Sequence, residues 1–266
     1  MNQELFPLPV MEIKKTTKNP LTTEFVFKHL EINLAATWGN TFRRLGNQVP
    51  GWAIFAVKIS DKEKTIASEF GGEAILKGVK EIPSYLILNL MQLVFQSPKK
   101  DFSRLGEICT LQINIDNSQS KESYTVTGKD IKGDLKVINP EIYLATVEEH
   151  SELKIILHCR YYRGFLKKKE QEYLLSELSD KEKVIFLSSN YCPVKTVGWK
   201  TGWRAEPPVI VDLNNQEEKL ILTITTNGSI SAQDSLLMMI NFLEKSMLNI
   251  RQLITSKPEK EQNREE

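Results

Sequence analysis

Three histidines and three cysteines are the residues of this chain best suited to nucleophilic, redox or metal chemistry, and their spacing forms no recognisable constellation. His29 follows a β lead-in and His150 falls in a polar turn. His158 precedes Cys159 in a strand, where successive side chains face opposite sides and cannot share one ion. Cys109, Cys159 and Cys192 are widely separated and make no C-x-x-C pair, which gives no zinc framework and suits a reducing compartment. Gly71, Gly72 and Gly78 imitate a phosphate loop, but Val79-Lys80 follows where that loop needs Lys-Ser or Lys-Thr. Glu148-Glu149 and Glu217-Glu218 sit in turns, where solvated charge is expected. Lys167-Lys168-Lys169 has charge to meet phosphate, yet Glu170 and Glu172 follow and nothing aromatic is interleaved to stack on bases. No catalytic residue, metal site or cofactor is therefore expected. What remains is the pair Arg43-Arg44 on a helix that follows strands, and a long heptad helix near the end, both of them assembly features.

The elements that must position this pair are legible from periodicity. Strands are expected over residues 10–15 and 24–27, followed by a helix capped by Asn33. Leu34, Trp38, Phe42, Leu45 and Val49 make one apolar stripe on that helix, and Pro50-Gly51 stops it. Arg43 and Arg44 follow Phe42 and so point away from the stripe. A strand over 52–59 comes next, then a loop at Phe70-Gly71-Gly72 and an apolar helix over 83–96. Strands are expected over 109–115, 123–126, 134–138, 141–147 and 153–160, separated by turn residues. A charged helix spans 167–183. Two more strands, 194–204 and 220–226, are joined by a turn at Asn214-Asn215 and lead into the longest helix, for which Ser231 and Asp234 form a capping-box variant. Along it Leu236, Ile240, Leu243, Met247, Ile250 and Ile254 make a heptad seam. Met238, Met239, Phe242 and Leu248 widen that seam enough for two clients, the helix's own sheet and another helix; a single broad core face remains the other reading. The tail 257–266 is expected to be disordered.

Composition narrows the function classes. The chain has 35 Lys+Arg against 34 Asp+Glu, a formal net charge of +1, which argues against a dedicated polyanion binder. No apolar run approaches the roughly 18–20 residues of a membrane span, and residues 1–10 have no signal-peptide pattern, so a mature soluble chain is expected. Lysine outnumbers arginine 27 to 8, a bias that A/T-rich coding explains and that suits a reduced bacterium or an organelle. Two adjacent arginines against that bias suggest that guanidinium chemistry is needed at 43 and 44.

At these residues the chain resembles the amino-terminal assembly domain of the bacterial-type RNA polymerase alpha subunit. Ala36-Thr37-Trp38-Gly39-Asn40-Thr41-Phe42-Arg43-Arg44 followed by Pro50-Gly51 is similar to that family's T-L-G-N-A-L-R-R and P-G. Residues 129–143 (KDIKGDLKVINPEIY), 160–165 (RYYRGF), 192–197 (CPVKTV) and 226–236 (TNGSISAQDSL) resemble four further family motifs, in family order. The resemblance implies an α+β fold: a dimerisation subdomain, a sheet plus two dimer helices, with an inserted and mostly β subdomain. The first would take residues 10–59 and 195–256, the insert 60–194, with dimer helices over 33–48 and 231–253. It implies a homodimer buried through Trp38, Phe42, Leu45, Leu236, Ile240, Leu243, Met247 and Ile250. A two-fold pair buries the same stripe from both copies. It also implies contact with the large beta and beta-prime subunits through Asn40, Arg43, Arg44 and Arg163, on a scaffold that is not itself catalytic. The family normally continues into a small DNA-binding domain, whereas this sequence stops at Glu266, so an alpha lacking that domain and making little or no direct DNA contact is expected. A plastid stroma is the expected compartment, a bacterial cytoplasm the alternative. The alternative function is a free-standing nucleic-acid-binding module using Lys167 to Lys169; a small hydrolase using His150 or His158 ranks far below both.

Overall fold

Two sheets, each backed by its own apolar core, organise the chain. The computed structural model describes residues 9–15, 19–31, 33–66, 75–96, 104–174, 184–203 and 218–255. In chain order the elements are β1 (Val10–Lys15), β2 (Thr22–Leu30), α1 (Leu34–Leu45), β3 (Gly51–Ser60), α2 (Pro83–Leu90), β4 (Ile108–Asp116), β5 (Tyr124–Thr127), β6 (Tyr143–Val147), β7 (Glu152–Tyr162), β8 (Phe165–Leu166), α3 (Lys168–Leu174), β9 (Ile185–Phe186), β10 (Ser189–Asn190), β11 (Val194–Trp203), β12 (Glu218–Thr226) and α4 (Ala232–Thr255).

The first sheet runs β1-β2-β12-β11, antiparallel throughout, and so joins strands from both ends of the sequence. In β12 buried and half-buried residues alternate, which turns Leu220, Leu222 and Ile224 to one face. There they meet Phe25 and Phe27 of β2, Phe42 of α1, and Leu236, Met238 and Met239 of α4 in one core. The second sheet runs β4-β7-β3-β9. Its odd-numbered β7 residues, Leu153 to Tyr161, are buried against β3, β4, α2 and the β5–β6 ribbon. β3 follows directly from the first core, yet its partners are β7 and β9, and Trp52, Ile54, Val57 and Ile59 belong to the second core. A smaller cluster of Phe55, Ala56 and Tyr191 lies under the β8–β10 pair. The Tyr191 hydroxyl and the buried Gln171 amide hydrogen-bond each other and so anchor α3 over it.

Several expectations are corrected. Residues 134–138 do not form a strand; this stretch makes isolated bridges only, Val137 with Phe95 and, just before it, Lys132 with Gln112. The same pairing shortens the helix expected over 83–96. After Leu90 the chain leaves the helix so that the Gln96 N–H can donate to the Lys136 carbonyl and the Asn139 side chain can bridge Val94 and Gln92. Asn33 does not cap α1 with its side chain; it takes a left-handed φ of 71° instead. The charged helix is described only as α3, and residues 175–183 lie outside the described residues, as do the Phe70-Gly71-Gly72 loop, the Asn214-Asn215 turn and the 257–266 tail.

Candidate assembly interface

Helix α1 is held by contacts that leave one face bare. Its amino end is capped from 183 positions away: the Ala35 N–H donates to the buried Glu218 carboxylate at the start of β12, 3.0 Å. That carboxylate satisfies a donor the helix cannot satisfy itself and meets the positive end of the helix dipole. The middle of the helix approaches β11 so closely that a Cβ on Gly39 would lie 2.4 Å from Cδ2 of Trp199, and at the far end a Cβ on Gly46 would lie 2.7 Å from Cγ2 of Val197. Trp38 packs edge-on against Phe27, ring centroids 6.1 Å apart, and Phe42 is buried. The Cys192 thiol donates to the Gly46 carbonyl at 3.1 Å and ties down the turn that follows. With the inner face committed, Asn40, Arg43 and Arg44 are exposed, and neither arginine makes an ion pair with any described residue. Both stand in the last turn of α1, where positive charge suits the helix dipole.

Helix α4 starts inside the molecule and then leaves it. The Ser231 hydroxyl accepts from the Asp234 N–H at 3.0 Å, and the Asn227 side chain accepts from Ser229, which shapes the entering turn. Ala232, Ser235, Leu236, Met238 and Met239 are buried. Beyond them the seam opens: Leu243 is half-buried, while Ile240, Met247 and Ile250 are 40–54% exposed and Ile254 is 79% exposed. Twenty-four residues make a rod of about 36 Å, and most of its apolar stripe is left exposed by the described residues. Of the eight residues expected to bury a dimer, Phe42 and Leu236 are already buried within the protomer, Trp38, Leu45 and Leu243 are half-buried, and Ile240, Met247 and Ile250 are exposed.

The second sheet contributes Arg163. Gly51, the first residue of β3, stands opposite Tyr162, so Arg163 lies at the end of β7 that adjoins the connection from α1. Arg163 is exposed. Sequence reasoning missed a further surface. Ile82, Tyr85, Leu88 and Met91 recur every third residue along α2 and are all exposed, while Leu86, Ile87 and Leu90 are buried. The signal was present, since a helix apolar on every side needs cover on every side.

The remaining candidates stay apart. His150, at a φ of 56°, hydrogen-bonds the Ser118 carbonyl in a turn, and His158 Nδ1 lies 3.4 Å from Thr110 Oγ1 on the face opposite Cys159. Among the described residues no group of three or more His, Cys, Asp or Glu is placed to hold a metal, and no helix is long and apolar enough to cross a membrane. Burial pushes the thiols of Cys109, Cys159 and Cys192 upward and the Tyr191 phenol up to about 12.

A sheet made from both ends of the chain, a second β-rich core between them and an exposed apolar helix define a mixed α/β architecture. Comparison with known proteins gives that architecture its family. The model of the RNA polymerase Rpb3/RpoA insert domain matches residues 57–191, and the chain belongs to this family as a divergent amino-terminal domain of the RNA polymerase alpha subunit. It is 30% identical over 229 residues to the "DNA-directed RNA polymerase subunit alpha" of Malacoplasma penetrans, covering 82% of this chain and 63% of that protein. Subunits of the same name from Mesoplasma florum and Bacteroides fragilis are 26% identical over 231 residues and 29% over 214, covering 86% and 80% of this chain. The chain spans 67% and 58% of those two relatives. Membership supports a general role in assembly.

Proposed function

We propose that this chain is the scaffold on which a multisubunit RNA polymerase assembles: it pairs with a second copy through α1 and α4, and the pair then captures the beta and beta-prime subunits. The observation that carries the reading is the uncovered apolar seam of α4 from Ile240 to Ile254, on a helix already anchored by its own first turns. An identical helix related by a two-fold axis supplies the missing cover with the same residues, and such interfaces are large and apolar. In this reading residues 10–50 and 195–256 form the dimerisation subdomain, and 51–194, whose first strand β3 lies in the second sheet rather than with the first core, form the insert that meets the large subunits. Asn40, Arg43, Arg44 and Arg163 are the polar contacts to those subunits, and the α2 stripe of Ile82, Tyr85, Leu88 and Met91 is an apolar contact of the insert. Nucleotidyl transfer belongs to the large subunits. The compartment, on the lysine bias alone, is a plastid stroma, with a bacterial cytoplasm as the alternative.

The test is co-purification of the tagged chain from native extract with identification of the captured chains by mass spectrometry. Large beta-like and beta-prime-like chains are expected. Their absence, with the tagged chain intact and folded, would reject the partners.

A further inference from the structure

Cys109 of β4 and Cys159 of β7 stand directly opposite each other in register. Opposite residues of adjacent antiparallel strands point to the same face. Both belong to the second core, Cys159 fully buried and Cys109 half-buried at its rim. Neighbouring bonds fix which kind of pair they form. Gln112 exchanges two backbone hydrogen bonds with Lys132, at 2.9 and 2.8 Å, and so turns its polar groups away from β7. Odd-numbered β4 residues therefore turn theirs toward β7. Tyr161 agrees: its N–H donates to the Glu107 carbonyl and its own carbonyl accepts from Gly106. Cys109 and Cys159 are thus a hydrogen-bonded pair, for which the Cα atoms lie about 5.5 Å apart, inside the range of about 4.4–6.8 Å that a disulfide spans.

We propose that Cys109 and Cys159 form a two-thiol redox site that closes to a cross-strand disulfide on reaction with a small-molecule disulfide. The half-buried Cys109 reacts first. Its thiolate attacks one sulfur of the small disulfide; that S–S bond breaks, and one small thiolate leaves and takes a proton from water. Cys159 then gives up its proton, attacks the Cys109 sulfur and expels the second small thiol. Two protein thiols lose two electrons in total, and one small disulfide becomes two thiols. Cys192 takes no part, because its sulfur belongs to the first core and donates to the Gly46 and Val194 carbonyls.

Burial raises both thiols, so little thiolate exists at neutral pH and the reaction accelerates as pH rises. The charged groups facing the pair are Asp134 and Glu107 beside Cys109, whose carboxylates oppose a thiolate; the Asp134 N–H donates to the Cys109 sulfur. Closure draws the Cβ atoms together by about 1–2 Å, since a hydrogen-bonded pair holds them near the wide end of about 4.5–5.5 Å and a disulfide holds them about 3.5–4.5 Å apart. The bond is consequently of the readily reduced kind.

The test treats the full chain with oxidised glutathione and maps its peptides without reduction. A Cys109–Cys159 cross-linked peptide with Cys192 free is expected, reversed by dithiothreitol and formed about tenfold faster for each pH unit between 7 and 8. In Cys159→Ala the reaction should stop at a glutathione adduct on Cys109, while Cys192→Ala should cross-link as the wild type does. A glutathione adduct that persists on Cys109 of the wild type, a linkage through Cys192, or thiols that react only after denaturation would each overturn the proposal. The wild-type map decides the matter alone if Cys159→Ala does not fold.

Discussion

Replacing Gly39 by alanine separates helix propensity from packing, because the two act with opposite sign at this position. Alanine is worth about 1 kcal/mol over glycine in a helix interior, so an uncrowded Gly39 would gain stability. The new Cβ would instead lie 2.4, 2.6 and 2.9 Å from Cδ2, Cγ and Cε3 of Trp199. These are atoms of a rigid ring next to its backbone, not the end of a flexible chain, and α1 or Trp199 must move. Overpacking of this kind costs about 1–3 kcal/mol, and contacts this short fall at the upper end. The net expectation is a loss of about 1–2 kcal/mol, which lowers the urea midpoint by roughly 0.5–1 M for a slope near 2 kcal/mol/M. Urea unfolding followed by circular dichroism measures it. The double variant Gly39→Ala/Trp199→Val should recover part of the loss, a coupling that a double-mutant cycle isolates. A Gly39→Ala chain more stable than wild type would show that α1 does not rest on Trp199, and the placement of Arg43 and Arg44 would fail with it.

Four further outcomes are expected. Ile250→Glu puts two like charges into a two-fold interface and removes about 1 kcal/mol of burial from each copy, so the dimer should weaken by about a hundredfold or more in sedimentation equilibrium; unchanged association would move the interface off α4. Glu218→Ala leaves the Ala35 N–H without its acceptor and should cost about 1–2 kcal/mol in urea unfolding, and Glu218→Gln less, because an acceptor remains. Arg44→Ala should keep the dimer yet reduce capture of the large subunits in a pull-down, and Arg44→Lys should not restore it if the guanidinium fork matters; capture equal to wild type would end that role. Stability should fall as pH rises above about 8.5, where thiols of the unfolded chain ionise while the raised Cys109, Cys159 and Cys192 thiols of the folded chain do not. Thermal melts from pH 7 to 10 should show that slope, and it should flatten when all three cysteines are replaced by alanine.

The parts of the fold legible in the sequence are those with a long, one-sided period. α1 and α4 carry apolar stripes over three or more turns, and β7 and β12 alternate over nine or more residues, so each is found within a few positions. β8, β9 and β10 have two residues each and no period to read. Residues 134–138 alternate like a strand, but their partners are single residues of neighbouring segments, so only bridges form. Arg43 and Arg44 point outward as spacing requires, because local helix geometry alone decides it. Glu218 as the cap of α1 was out of reach, since a contact across 183 positions leaves no local trace. Gly39 did leave one: a lone glycine inside an apolar-periodic helix marks close backbone approach, here to Trp199.

Light scattering coupled to size-exclusion chromatography of the purified chain at micromolar concentration tests the assembly role most directly. Burial of the α4 seam against a second copy predicts a particle of twice the 30.5 kDa chain mass, held as a dimer on dilution through that range. A strict monomer of 30.5 kDa would contradict it.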